Sequence, residues 1–258
     1  MASIGSPLLE MVPPGIALVT LNRPEVLNAL RHEDILTLIN LVTGLSDELD
    51  TRVVVLTGAG RAFCAGGDLR ALRRMGPTET GPYLASYSEL AEAFSSLRVP
   101  VIAALNGPAF GGGLELACMA DIRVAGEGAT LCAADLPMGL VPTGGLTWVL
   151  PRLVGHGRAS WMLLSNATVT AREAALFGLC DVVVAEGAAL QEALQLARAI
   201  ADCPPAGVAA TKHALGLSNR LSPADSRAFE VEVNQQLLWD EAVRRRLHQV
   251  LPDRDSAG

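Results

Sequence analysis

Short, almost uninterrupted apolar runs with β-forming composition recur along this chain and limit how it can fold. They lie at 16–22, 52–58, 99–107, 121–127 and 180–186. Because these runs do not alternate apolar with polar residues, we expect strands that are covered on both faces. Helical patterns lie between them, at 32–48, 80–97, 112–120 and 157–165. The alternation of the two signals predicts an α/β fold.

The strand signals end near residue 188, and helical patterns continue without them. Predicted helices cover 190–203, 204–217 and 223–250, and the second begins with two prolines, which suit the first turn of a helix. We therefore divide the chain into a core at 1–195 and a helical C-terminal region at 196–258.

Composition narrows the classes of function. The net charge of −7 and the pI near 5.1 argue against nucleic acid or an anionic membrane as a partner. The five cysteines are widely spaced and form no C-x-x-C pair, which is typical of a reduced protein without a disulfide framework or a metal site. The first residues contain no basic segment followed by a long apolar one, so a cytoplasmic protein is expected.

One stretch, Val99–Ala120, is almost free of charge and long enough to span a bilayer. It is interrupted by Asn106-Gly107-Pro108 and by three consecutive glycines, and it contains the carboxylate of Glu115. A buried strand, a loop and a buried helix fit this pattern better than a membrane span, so no membrane partner is expected.

Two glycine-rich loops follow predicted strands: "TGAGRAFCAGGDL" at 57–69 and "NGPAFGGGLELA" at 106–117. A helix start offers unpaired N–H groups, and glycine lets a ligand oxygen approach them. If the loops face each other, they form an oxyanion hole with one donor from each. Neither loop has the ending of a P-loop or a complete dinucleotide fingerprint, and a G-x-S-x-G elbow is absent.

Two acids stand close to these loops in sequence. Glu115 lies one turn inside the predicted helix after the three glycines, and Asp135 follows a strand-like run 20 residues later. Two carboxyls at one site suit acid–base chemistry on a substrate whose developing charge the amides stabilise. Plainer interpretations stay open, in which Glu115 pairs with Arg123 and Asp135 caps a loop, while Asp68 is expected to cap a helix at Leu69.

In several motifs this chain resembles the crotonase superfamily, also called the enoyl-CoA hydratase/isomerase family. The resemblance covers about residues 15–215. It rests on "LNRPEVLNAL", "VVVLTGAGRAFCAGGDL", "NGPAFGGGLELACMADIRVA", "LVPTGGLTWVLPRLVG" and "TAREAALFGLCDVVV", which occur in the family's order and at similar spacing.

The resemblance implies a crotonase (ClpP/crotonase-like) fold of repeated ββα units and an acyl-CoA thioester substrate. The amides of Ala65 and Gly112 would form the oxyanion hole for a thioester enolate. Glu115 and Asp135 would be the catalytic pair, with Asp135 one methylene shorter than the family's second glutamate. No cofactor is expected, since coenzyme A is part of the substrate. The helical region at 196–258 would assemble a homotrimer or a dimer of trimers.

The resemblance also implies a set of substrate-binding residues. "PTGGLTW" replaces the family's more usual "PGAGGT" and places Thr143 and Trp148 near the acyl pocket. Arg23 and Lys212 are candidates for the phosphates of coenzyme A, and a position on a solvated face is the plainer interpretation of both. The full set is Arg23, Ala62, Gly66, Asp68, Leu69, Gly111, Pro142, Trp148 and Lys212.

Three functions therefore compete. The first is an enoyl-CoA hydratase, which adds water to a trans-2-enoyl-CoA through both carboxyls. The second is an enoyl-CoA isomerase or another acyl-CoA enzyme of this type that works through Asp135. The third is a non-catalytic acyl-CoA binding protein, which the presence of both acids disfavours.

Overall fold

The computed structural model describes residues 5–218 and 220–250, except for the side chain of Asp47. The strands are β1 (Leu8–Val12), β2 (Ile16–Leu21), β3 (Val53–Gly58), β4 (Val101–Leu105), β5 (Ala109–Phe110), β6 (Ile122–Gly126), β7 (Thr130–Cys132), β8 (Val169–Thr170) and β9 (Val182–Val184).

The helices are α1 (His32–Asp47), α2 (Leu69–Leu72), α3 (Pro77–Ser96), α4 (Gly112–Met119), α5 (Leu146–Val154), α6 (His156–Leu164), α7 (Ala171–Phe177), α8 (Ala189–Ala201), α9 (Pro205–Leu217), α10 (Pro223–Leu237) and α11 (Glu241–Val250). Short 3-10 turns lie at Pro24–Val26 and Leu136–Met138.

The main sheet has the strand order β1-β2-β3-β4-β6-β9. β1 pairs antiparallel with β2, and all other neighbours in this sheet are parallel. The five apolar runs predicted as strands are β2, β3, β4, β6 and β9, so these predictions and the α/β class are confirmed. A second sheet, β5-β7-β8, lies outside the first.

Both faces of the main sheet are covered, as the continuous apolar runs predicted. Val54 and Leu56 of β3 belong to a core that includes residues of α1, α3 and α4. Val53 and Val55 of the same strand pack on the other face in a second core with residues of α8. All four side chains are fully buried.

A long strand, a short strand and a helix follow one another twice, as β4-β5-α4 and as β6-β7-α5. The long strands join the main sheet and the short strands pair with each other in the second sheet. The stretch Val99–Ala120 therefore contains the predicted buried strand and buried helix, β4 and α4, and the connection predicted as a loop also contains the two-residue strand β5. No helix in the described part of the chain combines the length and apolarity needed to cross a bilayer.

Two predictions for the C-terminal region need correction. The boundary at 195/196 falls inside α8, whose Ala193 and Ala197 pack on the main sheet, so α8 belongs to the core. The single helix predicted over 223–250 is divided into α10 and α11. Asp240 causes the division, because its carboxylate accepts hydrogen bonds from the Ala242 and Val243 amides and begins a new helix.

Candidate active site

The two glycine-rich loops lie against each other, beyond the carboxyl ends of β3 and β4, which is the arrangement that an oxyanion hole with one donor from each loop requires. The Phe110 amide donates to the Cys64 carbonyl at 2.9 Å, and the Cys64 amide donates to Pro108 at 3.1 Å. A Cβ on Gly113 would lie 2.1 Å from the Cys64 carbonyl oxygen. Only glycine therefore permits α4 to start this close to the first loop.

The Gly112 amide is the first of α4, so it has no partner within the helix. The predicted second donor, the Ala65 amide, already donates to the Leu27 carbonyl at 2.9 Å. Two residues later, the Gly67 amide donates to no acceptor in the described part of the chain. Because the Ala65 amide is occupied, the candidate donor pair is Gly67 and Gly112 and not the predicted pair of Ala65 and Gly112.

Gly67 and Gly112 share a neighbour. A Cβ on Gly112 would lie 2.7 Å from the hydroxyl of Tyr87, and a Cβ on Gly67 would lie 3.5 Å from the same oxygen. Gly66 lies where the first loop approaches the start of α4, since a Cβ at Gly66 would lie 3.1 Å from the Gly112 nitrogen. The two unpaired amides therefore belong to one small region.

Glu115 lies in the first turn of α4 and is only 2% exposed. Its Oε1 accepts from the Thr143 amide at 2.5 Å, and its Oε2 accepts from the Thr143 hydroxyl at 3.0 Å. The alternative pairing with Arg123 is excluded, because that guanidinium bonds Asp181 and the carbonyls of Ala120 and Leu179. Burial, followed by the negative charge of Asp135, raises the pKa of Glu115 to about 7.

Asp135 lies between β7 and the 3-10 turn at Leu136–Met138, and its side chain caps neither. Its Oδ2 is buried and has no hydrogen-bond partner among the described residues. Burial raises the pKa of Asp135 to about 6. A buried carboxylate oxygen without a partner is costly, which points to a ligand or substrate group at this position.

The two carboxyls act on one region. A Cβ on Gly111, the residue before α4, would lie 3.9 Å from Oδ1 of Asp135. The charge of Asp135 also contributes to the raised pKa of Glu115. With pKa values of about 7 and about 6, the pair carries one proton near neutral pH, which suits one acid and one base.

Asp68 caps α2 as predicted, accepting from the Arg70 and Ala71 amides at 3.0 and 3.1 Å. It also pairs with Arg23 at 3.1 Å, and Arg23 contacts Asp34 as well. Arg23, predicted for a phosphate, is thus held by two carboxylates of its own chain.

The other predicted substrate residues differ in position. Leu69 is 54% exposed at the start of α2, beside the first loop. Ala62 is fully buried, and its carbonyl accepts from the side-chain amides of Asn28 and Asn106. Pro142 immediately precedes Thr143, the partner of Glu115.

Trp148 lies on α5, 55% exposed, with the Arg152 guanidinium 3.8 Å from the centre of its ring. Lys212 is not brought to the site. Its ammonium is 2.8 Å from Asp121 and 2.9 Å from the Val99 carbonyl, at the amino ends of β4 and β6. The glycine loops leave the opposite, carboxyl ends of the strands, so the assignment of Lys212 to this site of its own chain is wrong.

Sequence reasoning missed three features of the site. No residue type in the sequence marks the Gly67 amide as free. The two hydrogen bonds from Thr143 to Glu115 join positions that are 28 residues apart. Tyr83 and Tyr87 had a signal, because they are the two tyrosines of the chain and stand four residues apart on α3. Among the described residues, no three His, Cys, Asp or Glu side chains group closely enough to hold a metal ion.

The chain is similar to known proteins over most of its length. The family model for enoyl-CoA hydratase/isomerase matches residues 12–251. The 1,2-epoxyphenylacetyl-CoA isomerase of Escherichia coli is 37% identical over 81% of each chain. The short-chain-enoyl-CoA hydratase of Clostridium acetobutylicum is 32% identical over 84% of each chain.

Among solved structures, enoyl-CoA hydratase from Bacillus anthracis superposes with a TM-score of 0.90 at 31% identity, over 95% of this chain and 94% of that one. This likeness confirms the predicted crotonase fold. Together with the family model and the sequence relatives, it shows that the chain belongs to the enoyl-CoA hydratase/isomerase family.

Proposed function

We propose that this protein is an enoyl-CoA hydratase acting on a trans-2-enoyl-CoA thioester. The observation that carries the proposal is the pair of buried carboxyls, Glu115 and Asp135, beside the unpaired amides of Gly67 and Gly112. Amides in this position suit an oxygen that becomes negative, and a carboxyl pair with one proton suits the addition of water. The hydratases among its relatives support the same activity.

In the proposed reaction the thioester oxygen accepts hydrogen bonds from the Gly67 and Gly112 amides. Glu115 takes a proton from water while the water oxygen bonds to the β-carbon. The electron pair of the double bond moves into the thioester as an enolate, which the two amides stabilise. In the free site the shared proton lies mainly on Glu115, whose pKa is the higher, and it moves to Asp135 before water adds. Asp135 then gives this proton to the α-carbon, and the product is a 3-hydroxyacyl-CoA. Proton exchange between the carboxyls and solvent restores the starting state.

A second candidate is an enoyl-CoA isomerase, and one observation favours it. Thr143 donates hydrogen bonds to both oxygens of Glu115, whereas Oδ2 of Asp135 has no partner within the described part of the chain. In that case Asp135 alone would move a proton between two carbons of the acyl chain, and Glu115 would position the loop. The relative in Escherichia coli is named as an isomerase.

The test measures hydration of crotonyl-CoA as the loss of the absorbance of the conjugated thioester. For a hydratase, we expect Glu115→Gln and Asp135→Asn each to lower kcat by roughly 10²–10⁴-fold, as for loss of a general acid or base. Glu127→Gln, which removes a surface carboxylate paired with Arg172, serves as the matched control and retains activity.

The same variants separate the two candidates when a 3-enoyl-CoA is supplied and the conjugated absorbance is followed as it appears. An isomerase would lose activity in Asp135→Asn and retain most of it in Glu115→Gln. Absence of turnover of both substrates by the unmodified protein, with butyryl-CoA still bound, would contradict both enzymatic candidates.

A further inference from the structure

The two tyrosines of the chain form a buried pair beside the glycine loops. Tyr83 and Tyr87 are 2% and 3% exposed, on neighbouring turns of α3. Their rings meet edge to face with centres 5.6 Å apart, and their hydroxyl oxygens are 3.2 Å apart. Burying two hydroxyls is costly unless their hydrogen bonds are satisfied, so the position of the pair calls for an explanation.

Both hydroxyls lie against the glycines whose amides are unpaired. A Cβ on Gly67 would lie 2.5 Å from the Tyr83 hydroxyl, and a Cβ on Gly112 would lie 2.7 Å from the Tyr87 hydroxyl. The Tyr87 oxygen also lies 3.5 Å from the Cβ position of Gly67. The Tyr87 hydroxyl therefore lies beside both donor residues.

The hydroxyl protons of the pair form a chain of hydrogen bonds. The Tyr83 hydroxyl donates to the Leu30 carbonyl at 3.5 Å. Because that proton is used, the 3.2 Å contact between the two hydroxyls is a hydrogen bond from Tyr87 to Tyr83. A thioester oxygen bound at the Gly67 and Gly112 amides would offer the Tyr87 proton a second acceptor, and a stronger one as the oxygen becomes negative. Burial raises the pKa of Tyr87, so this proton is retained throughout the working pH range.

We propose that the Tyr87 hydroxyl is a third hydrogen-bond donor to the thioester oxygen, alongside the Gly67 and Gly112 amides. When the substrate binds, the Tyr87 proton turns from the Tyr83 oxygen to the thioester oxygen. Tyr83, which donates to the Leu30 carbonyl, is a positioning residue for the Tyr87 ring. The inference rests on the proposed thioester site, but it holds for a hydratase and an isomerase alike, since both form the same enolate.

The test measures the carbonyl stretch of bound butyryl-CoA, labelled with ¹³C at the thioester carbon, by difference infrared spectroscopy. This saturated thioester does not react. We expect the band to shift to lower frequency on binding to the unmodified protein. Tyr87→Phe should lose a clear part of that shift, whereas Tyr83→Phe, the matched control, should keep most of it because the Tyr87 proton stays available.

Turnover provides a second readout. Tyr87→Phe should lower kcat by about tenfold with little change in KM, equivalent to the loss of one neutral hydrogen bond in the transition state. Tyr83→Phe should lower kcat less. Because both variants remove one buried hydroxyl from α3, their melting temperatures should be similar, which separates a catalytic effect from a folding effect.

Equal carbonyl shifts in the unmodified protein and Tyr87→Phe would overturn this inference and leave the proposed function intact. An unshifted carbonyl in the unmodified protein would overturn the thioester site and the inference with it. If Tyr87→Phe does not fold, ¹³Cζ-tyrosine labelling replaces it, because the chain has two tyrosines and gives two resonances. Butyryl-CoA should shift the one that persists in Tyr83→Phe; no shift there would overturn the inference.

Discussion

The buried carboxyl of Glu115 lowers the stability of the folded protein when it is ionised. Its side chain is 2% exposed, and its pKa is raised from 4.5 to about 7, first by burial and then by Asp135. An acid with a raised pKa in the folded state binds its proton more tightly there than in the unfolded chain. Folding is therefore favoured most below pH 4.5, and this contribution is lost as pH rises through about 7.

Glu115→Gln is expected to stabilise the protein at pH 8 by up to about 3 kcal/mol, the free energy equivalent of the shift in pKa. Glutamine keeps an acceptor for the Thr143 amide, and the hydroxyl of Thr143 can turn to accept from the new amide. Urea denaturation of both proteins at pH 8 and pH 5 provides the measurement, and the advantage of the variant should shrink at pH 5.

Glu173→Gln is the control, because its expected effect on stability at pH 8 has the opposite sign to that of Glu115→Gln. Hydrogen bonds from Thr170 lower the pKa of Glu173, so this acid stabilises the fold above its unfolded pKa and loses the effect as pH falls. Its variant should be less stable than the unmodified protein at pH 8. A difference between Glu115→Gln and the unmodified protein that is the same at both pH values would show that the Glu115 carboxyl is not destabilised by burial.

At the scale of single residues, the sequence located the acids but not the free amide. Glu115 and Asp135 were recognisable as carboxyls inside apolar runs beside glycines, and the structure brings them to one region. The choice between Ala65 and Gly67 depends on the Leu27 carbonyl, which comes from another part of the chain and occupies the Ala65 amide. Backbone pairing of this kind leaves no trace in side-chain pattern.

At the scale of elements, the start of α4 decides whether the site exists. Gly113→Ala would place a Cβ 2.1 Å from the Cys64 carbonyl oxygen, a backbone atom that cannot turn away. α4 and the first glycine loop must then separate, and we expect a loss of stability of several kcal/mol together with loss of butyryl-CoA binding. Thermal unfolding and calorimetric titration would measure the two effects.

Gly44→Ala is the matched control for that substitution. Gly44 lies inside α1, and a Cβ there would meet no atom within 4 Å. Alanine should stabilise this helix by about 0.5–1 kcal/mol and leave binding unchanged. If Gly113→Ala behaved like Gly44→Ala, the close approach of α4 to the loop would not be a requirement of the site.

Strands could be predicted from the sequence wherever a continuous apolar run marked them. For this reason β2, β3, β4, β6 and β9 match the apolar runs. The division between α10 and α11 was missed, because the periodic pattern continues through 223–250 while the break depends on one local interaction. Asp240 accepts two backbone amides and starts a new helix there. The position of α8 was missed for a related reason: an amphipathic pattern does not say which partner its apolar face contacts.

At the scale of the whole molecule, the carboxyls of the candidate site and the Lys212–Asp121 ion pair lie at opposite ends of the parallel strands. The acids and free amides lie beyond the carboxyl ends of the parallel strands, where ligands of α/β proteins commonly bind. Lys212 and Asp121 form their ion pair at the other edge. This placement follows from strand order, which a single sequence does not reveal, so the sequence grouped Lys212 with residues that the fold places at the opposite edge.

The last three helices are the basis of the final prediction, which concerns the oligomeric state of the protein. Taken as a single chain, α9, α10 and α11 contain no buried residue among those described, yet Leu215, Val231 and Trp239 are apolar and 59–77% exposed. Large apolar side chains on α9, on α10 and in the connection between α10 and α11 favour contact with further copies of the chain. The resemblance to the family implies that this assembly is a homotrimer or a dimer of trimers. We expect a mass in light scattering of three or six times 26.9 kDa.

Trp239→Glu should lower that mass, because it places a charge within the proposed contact while removing a side chain that is 77% exposed in the single chain. Leu49→Glu is the control: Leu49 is 84% exposed in the connection between α1 and β3, so its substitution should leave the mass unchanged. A mass of one chain for the unmodified protein at micromolar concentration would contradict the assembly. Equal masses for both variants and the unmodified protein would place the contact away from Trp239.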